Sequence, residues 1–492
     1  MRFLYLFALT MAAQAATYHV DCVHGADTNS GVSTSAAWKG IEKVNASRFR
    51  PGDRILLKSG CAWEGQLAPP SSGAEGAPIV IDRYGSGPKP RIDGRGKVED
   101  TLRLYNVQFV EVRNLELTNL GDGPGVRRGV HIFLDNFGTG RHIVVAELYI
   151  HDVNGSNQRK DNGGITFRTN GNRTPSRFDG LTIERNIIWK VDRSAIAAQS
   201  YHAQRRRWFP SLNVVIRDNF VEDIGGDGIV PWATDGALVE HNIARDCNRR
   251  AKSYNAGIWP WSTDNSVLQL NEAAFTRTTQ DGQGFDSDYN SRNTLLQYNY
   301  SHDNEGGFLL ICSPVERNRE DNFGNEGTVA RHNISRNDRA RIFHLSGADH
   351  TTIEDNAVYV GEGLDVQMLL VSEWNGWSTG AVLRNNKFYV DGVARYGHGL
   401  KRLEDGTYTL APGWGGAKDI VFEGNTYSGK QVDRPQDSGA VEGREARPAI
   451  EWRGPEVDPA KPEEFDAFLK QHRRWMVQLF ERQFGKPVKL GR

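Results

Sequence analysis

An asparagine returns along this chain at the spacing of a structural unit, and that recurrence constrains the fold more than any other feature. Each time it ends a short apolar and polar run: Ile183-Glu184-Arg185-Asn186, Ile216-Arg217-Asp218-Asn219, Val239-Glu240-His241-Asn242, Leu268-Gln269-Leu270-Asn271 and Leu296-Gln297-Tyr298-Asn299. The series continues through Asn333, Asn356, Asn386 and Asn425. Intervals run from 23 residues (Asn219 to Asn242) to 39 (Asn386 to Asn425), which leaves room for loops of unequal length on one side of a repeat. Period-two alternation inside each unit marks about three short strands with turns between them. Such a unit cannot bury its apolar face alone, so the units must stack.

One unit is then one coil of a parallel β-helix, and the asparagine has a physical reason to recur. At the same bend of successive coils, each side-chain amide can donate to a carbonyl of the next, satisfying polar groups that the turn buries. A second column supports the stacking: Gly129-Val130, Gly164-Ile165, Ala195-Ile196, Gly228-Ile229, Gly257-Ile258, Gly284-Phe285, Gly307-Phe308 and Arg341-Ile342 each open a strand ahead of the asparagine. The apolar second residue is expected to point inward, and alternation then turns the third and fifth residues outward.

The flanks differ from the repeat. Residues 1–16 carry Arg2, an apolar run and small residues that suit signal peptidase, so an export signal is expected. Residues 17–95, with turn sequences such as Phe49-Arg50-Pro51-Gly52-Asp53, read as a cap over the first coil, and the coils are expected over 96–428. The extension 429–492 holds an amphipathic helix over 463–483, read as a lid on the solenoid. The expectation is an all-β solenoid with an N-terminal cap and a C-terminal helix, secreted or periplasmic, and monomeric. Net charge is -1, so no whole-protein field would gather nucleic acid or a membrane surface. Of the four cysteines, Cys22 and Cys61 are expected to be bridged; for Cys247 and Cys312 a bridge and two buried thiols are both open, and no spacing resembles a zinc site.

The segments Gly282-Gln283-Gly284-Phe285-Asp286-Ser287-Asp288-Tyr289 and Tyr298-Asn299-Tyr300-Ser301-His302-Asp303-Asn304-Glu305-Gly306-Gly307-Phe308, with the laddered coils around them, resemble the pectate-lyase-like right-handed parallel β-helix superfamily. That resemblance covers about residues 17–428 and implies a carbohydrate-active protein, in a superfamily that includes hydrolases, lyases and epimerases. The polygalacturonase pattern does not fit: a serine separates Asp286 from Asp288, Gly397-His398-Gly399 lies several coils downstream, and no Arg-Ile-Lys is present.

Read column by column, the expected outward residues place Trp259 and Asp286 in one line and Trp232, Trp261 and Asp288 in another, with Leu309 and Ile311 next in the stack. Indole faces pack on sugar rings and acids contact hydroxyls or the scissile oxygen. The reading is a glycoside hydrolase acting on a polysaccharide or oligosaccharide, with Asp286 and Asp288 as the acid pair, Glu305 and His302 as further participants, and Trp232, Trp259, Trp261, Arg168 and Lys252 binding substrate. Such a reaction requires no cofactor, although two close carboxylates would also collect calcium. The alternatives are a lyase on a uronic-acid polymer, drawing a base from Arg249-Arg250-Ala251-Lys252-Ser253-Tyr254, and a non-catalytic glycan-binding solenoid.

Overall fold

The computed structural model describes residues 15–277, 280–313, 321–373, 376–405, 407–443 and 448–490, so the expected signal segment lies almost wholly outside the described residues. Each coil contributes a strand to each of three parallel faces. In one coil these are Arg177–Glu184, Ile187–Val191 and Ser194–Ser200, which pair in register with Ser211–Arg217, Phe220–Ile224 and Ile229–Val230 of the next. Stacked strands begin within the stretch read as a cap, since Arg54–Lys58 pairs with Ile79–Tyr84 and Ala62–Glu64 with Arg91–Asp93. Ahead of them lie Thr17–Val20 and a short helix α1 (Ile41–Ala46), held by the Cys22–Cys61 disulfide. Cys247 and Cys312 are both buried free thiols.

The asparagine ladder closes in full. Asn186 Nδ2 donates to Asn219 Oδ1 at 2.9 Å, and the chain of amide-to-amide bonds runs through Asn242, Asn271, Asn299, Asn333, Asn356 and Asn386 to Asn425, where Asp437 accepts the last. Each amide also donates to a main-chain carbonyl of the preceding coil, as Asn299 does to Leu268. The residue before each rung is left-handed, from Arg185 (φ 57°) and Asp218 (φ 58°) to Asp355 (φ 54°) and Asn385 (φ 53°). That conformation costs a non-glycine residue about 1 kcal/mol, and the ladder bonds hold it. Asn299→Ala would leave its neighbours' buried groups unpaired on both sides, so a loss of about 2–4 kcal/mol is expected by denaturant titration, against under 1 kcal/mol for the solvated Asn172→Ala.

The same left-handed residues form the seat of the C-terminal helix α2 (Phe465–Phe484). Arg185 pairs with Asp466, Asp218 with Arg473, Tyr298 packs on Phe480 and His332 on Phe484. From Asp466 to Phe484 the helix rises about 27 Å. The five coil spacings from Arg185 to His332 make about 24 Å. The helix therefore lies along the solenoid axis, one turn to each coil, leaving the third face open.

Candidate active site

The open third face is a wall of outward side chains. Hydrogen bonds from Asp286 N to Ile258 O and from Asp288 N to Pro260 O stack Asp286 over Trp259 and Asp288 over Trp261, and Trp232 pairs with Trp261. One coil on, the register differs from the expected columns by one residue. Gln283 pairs with Gly307 and Asp286 with Leu310, so Leu310 and Cys312, not Leu309 and Ile311, continue the outward lines. Strand Gly307–Cys312 is buried at every position and apolar throughout its middle, so alternation gave no signal for which residues point inward.

Of the expected platforms, Trp232 and Trp261 are half-buried and stacked, with ring centroids 4.1 Å apart. They border a cavity of about 370 Å³ shared with Tyr201, Gln204, Arg207 and Tyr289. Trp259 is not a platform: it is 4% exposed, its Nε1 donates to Asp227 Oδ1 at 3.2 Å, and Lys160 covers its ring at 4.8 Å. Arg168 lies on the wall two coils below Trp232, over the Phe133 ring. Lys252 is exposed in the loop ahead of Trp259, and the cation that faces the wall acids is Lys160 instead. In the same loop Arg249 and Arg250 are committed to Asp223, Asp246 and Asp192, which removes the expected lyase charge cluster.

His302 and Glu305 belong elsewhere. His302 sits on Tyr300–His302, a strand of the face that carries α2, bonded to Asp303 and beside Glu272. Glu305 occupies the following turn, where its N–H donates to Thr276 O and its charge acts on Arg277.

Three aspartates do converge. A carboxylate oxygen of Asp286, one of Asp288 and the Cys312 sulfur lie within 4.8 Å of one another, much closer than strand rise alone would set the two acids. This set of two oxygens and a thiol is unlike the all-oxygen cage that calcium prefers. The Cys312 thiol donates to Asp288 Oδ1 at 3.1 Å and the Tyr289 N–H donates to the same oxygen at 2.6 Å, which leaves Oδ2 clear of both. The third acid, Asp281, is 7% exposed, and its Oδ1 has no partner among the described residues.

Their electrostatics separate the three. Burial pushes Asp281 up to about 7, the Asp288 charge adding to the shift and Arg341 opposing it. Burial also raises Asp288, to about 6, against the thiol and main-chain hydrogen bonds that favour its ionised form. Asp286 is driven well above the carboxylate range by burial and then by Asp288 and Asp281. Asp281, Lys160 and Cys312 were not found from the sequence. Asp281 precedes its strand by two residues, outside any alternation, and Lys160 lies in a loop of another coil.

Comparison with known proteins agrees with this architecture. The family model for a right-handed β-helix region matches residues 163–327. The chain is 30% identical over 452 residues to a lacto-N-biosidase of Bifidobacterium longum subsp. longum, covering 71% of this chain and 28% of the relative, so it spans under a third of that protein's length. The crystal structure of a GH136 lacto-N-biosidase from Eubacterium ramulus superposes with a TM-score of 0.67 at 28% identity, covering 76% of this chain and 68% of the other. Its selenomethionine derivative gives a TM-score of 0.65. By fold, this chain is a right-handed parallel β-helix.

Proposed function

We propose that the chain is a glycoside hydrolase acting on an oligosaccharide, with Asp281 as proton donor and Asp288 as nucleophile. The observation that carries this reading is a pair of carboxyls close enough to act on one another yet in different environments: Asp281 is raised to about 7 and Asp288 to about 6. A glycosidase needs one acid that still holds its proton when the other has lost it. Asp281 would protonate the leaving glycosidic oxygen while Asp288, steadied through Oδ1, attacks the anomeric carbon with Oδ2. Water then enters, Asp281 takes its proton, and the sugar leaves Asp288 with the carboxylate regenerated. Asp286 stands beside them, its carboxyl raised by burial and by the two neighbouring acids. No cofactor is needed for these steps.

Similarity to two proteins named lacto-N-biosidase supports an oligosaccharide substrate over a uronic-acid polymer. The apolar leader and the Cys22–Cys61 bridge support work outside the cytoplasm, secreted or periplasmic. The test is incubation with aryl glycosides and with oligosaccharides ending in lacto-N-biose, read for released sugar and for near-ultraviolet absorbance. Released sugar with no absorbance change is expected. An unsaturated product would mean elimination, and binding without any product would leave a glycan-binding solenoid.

The two indole environments separate in the same assay. Trp261→Ala, which opens the cavity, should raise KM by about tenfold, or about 1.4 kcal/mol of binding. Trp259→Ala removes a buried ring instead and should cost about 3–5 kcal/mol of stability, read as a lowered Tm.

A further inference from the structure

The wall does not end at the tryptophans. Going back from Trp261, the same outward line runs through Trp232, Gln199, Arg168 and Phe133 to Tyr105, by the register of successive strands. Every member of it is at least half-buried rather than sealed, and Tyr105 is 42% exposed. The parallel line beside it is closed: His131, Thr166, Ala197, Val230 and Trp259 are all buried. The loop that carries Lys160 and Asp161 seals this inner line, with Lys160 over Trp259 and Arg128 donating to Asp161 O. What remains is a ridge bordered by that loop, about 24 Å long over five coil spacings from Tyr105 to Trp261. One coil spacing is close to the length of one sugar ring.

Its far end has its own chemistry. Tyr105 meets Phe133 at 5.5 Å between centroids, with Arg103 over the Tyr105 ring at 4.8 Å and Arg168 over the Phe133 ring at 5.3 Å. Arg103 has only a 4.0 Å contact with Asp100, and among the described residues Arg168 has no carboxylate within ion-pair distance. His131 stacks on Phe133 at 5.3 Å and Arg168 lies over the same ring, so the exposed Tyr105 ring is the one that takes the C–H face of a sugar, and the two guanidinium groups suit an anionic substituent on it.

Resting on the hydrolase reading, we propose that the Tyr105, Phe133, Arg103 and Arg168 end of the wall is a distal subsite for an acidic sugar, so that the substrate is a chain of about five or more rings bearing a carboxylate or sulfate far from the cleaved bond. Binding energy gathered there would hold the chain in line without touching the reacting atoms.

The experiment compares neutral, carboxylated and sulfated oligosaccharides of equal length, by calorimetry and by KM. Wild type should bind an anionic chain at least tenfold more tightly than the neutral one, with the preference shrinking as salt is raised. Arg168→Gln should collapse that ratio to near one, and Tyr105→Ala should weaken long chains of every kind. The carboxylated and sulfated arms identify the substituent. Equal affinity for neutral and anionic chains, or a ratio untouched by Arg168→Gln in a variant of native Tm, would overturn the proposal. If no chain is hydrolysed, the calorimetric arm still decides whether the subsite exists, so its failure is distinct from failure of the hydrolase reading.

Discussion

Replacing Asp288 with asparagine should reduce kcat by at least about a thousandfold, or about 4 kcal/mol of transition-state stabilisation, because a carboxamide cannot form the glycosyl ester that the Asp288 carboxylate forms. The variant should nevertheless be at least as stable as wild type at pH 7. The Asp288 carboxyl is raised from the ordinary range to about 6, so its ionisation is harder in the folded chain than in the unfolded one. Stability contributed by its proton is therefore present at low pH and lost as pH rises through about 6, and asparagine removes that loss. A lowered Tm together with lowered activity would instead make Asp288 structural.

Asp281→Asn should differ in kind. The wild-type rate should fall below about pH 6, where Asp288 gains its proton, and above about pH 7, where Asp281 loses its own. Removing the Asp281 carboxyl should abolish the alkaline limb, slow natural glycosides by about a hundredfold or more, and affect aryl glycosides with good leaving groups much less. Equal losses on both substrate types would exclude Asp281 as the proton donor.

The ladder was legible because asparagine at a buried bend has one efficient way to satisfy its amide, and repetition at nine positions from Asn186 to Asn425 multiplies that signal. The Trp259 to Asp286 and Trp261 to Asp288 registers were legible for a similar reason, since each strand alternates sharply there. Register failed one coil later, where Phe308, Leu309, Leu310 and Ile311 are apolar and all buried. Burial of Trp259 could not be read either: an outward side chain on a strand is exposed only if no loop covers it, and the loop that brings Lys160 starts about a hundred residues earlier. Asp281 illustrates the same limit. Its role depends on burial at the mouth of a strand, which periodicity does not encode.

On the opposite face, Glu272 is expected to be the most costly single charge to remove outside the wall. Its side chain is 1% exposed and is held by Arg245 Nε at 2.7 Å, His472 Nε2 at 2.8 Å and His302 Nε2 at 3.5 Å, so one carboxylate joins three coils to helix α2. Burial would raise its pKa, but Arg245 first, then His302 and His472, hold it well below the carboxylate range. Glu272→Ala removes the one carboxylate that Arg245 is bonded to among the described residues and should cost about 3–5 kcal/mol.

The pH dependence follows from two opposite signs. Glu272, lowered in the fold, contributes stability above its unfolded value of about 4.3, lost as pH falls further. Burial lowers the His302 pKa, but its bonds to Asp303 and Glu272 raise it overall. Its contribution is complete below its unfolded value of about 6.5 and is lost as pH rises through the folded value. Attachment of α2 should therefore be strongest between about pH 4.3 and 6.5. Limited proteolysis reads this directly. In Glu272→Ala the C-terminal extension should be cut well before the coils at pH 5.5, whereas wild type should resist there and become more susceptible toward pH 8. An extension equally resistant in both proteins at both pH values would show that the apolar contacts of Phe468, Met476 and Phe480 hold the helix without this charge cluster.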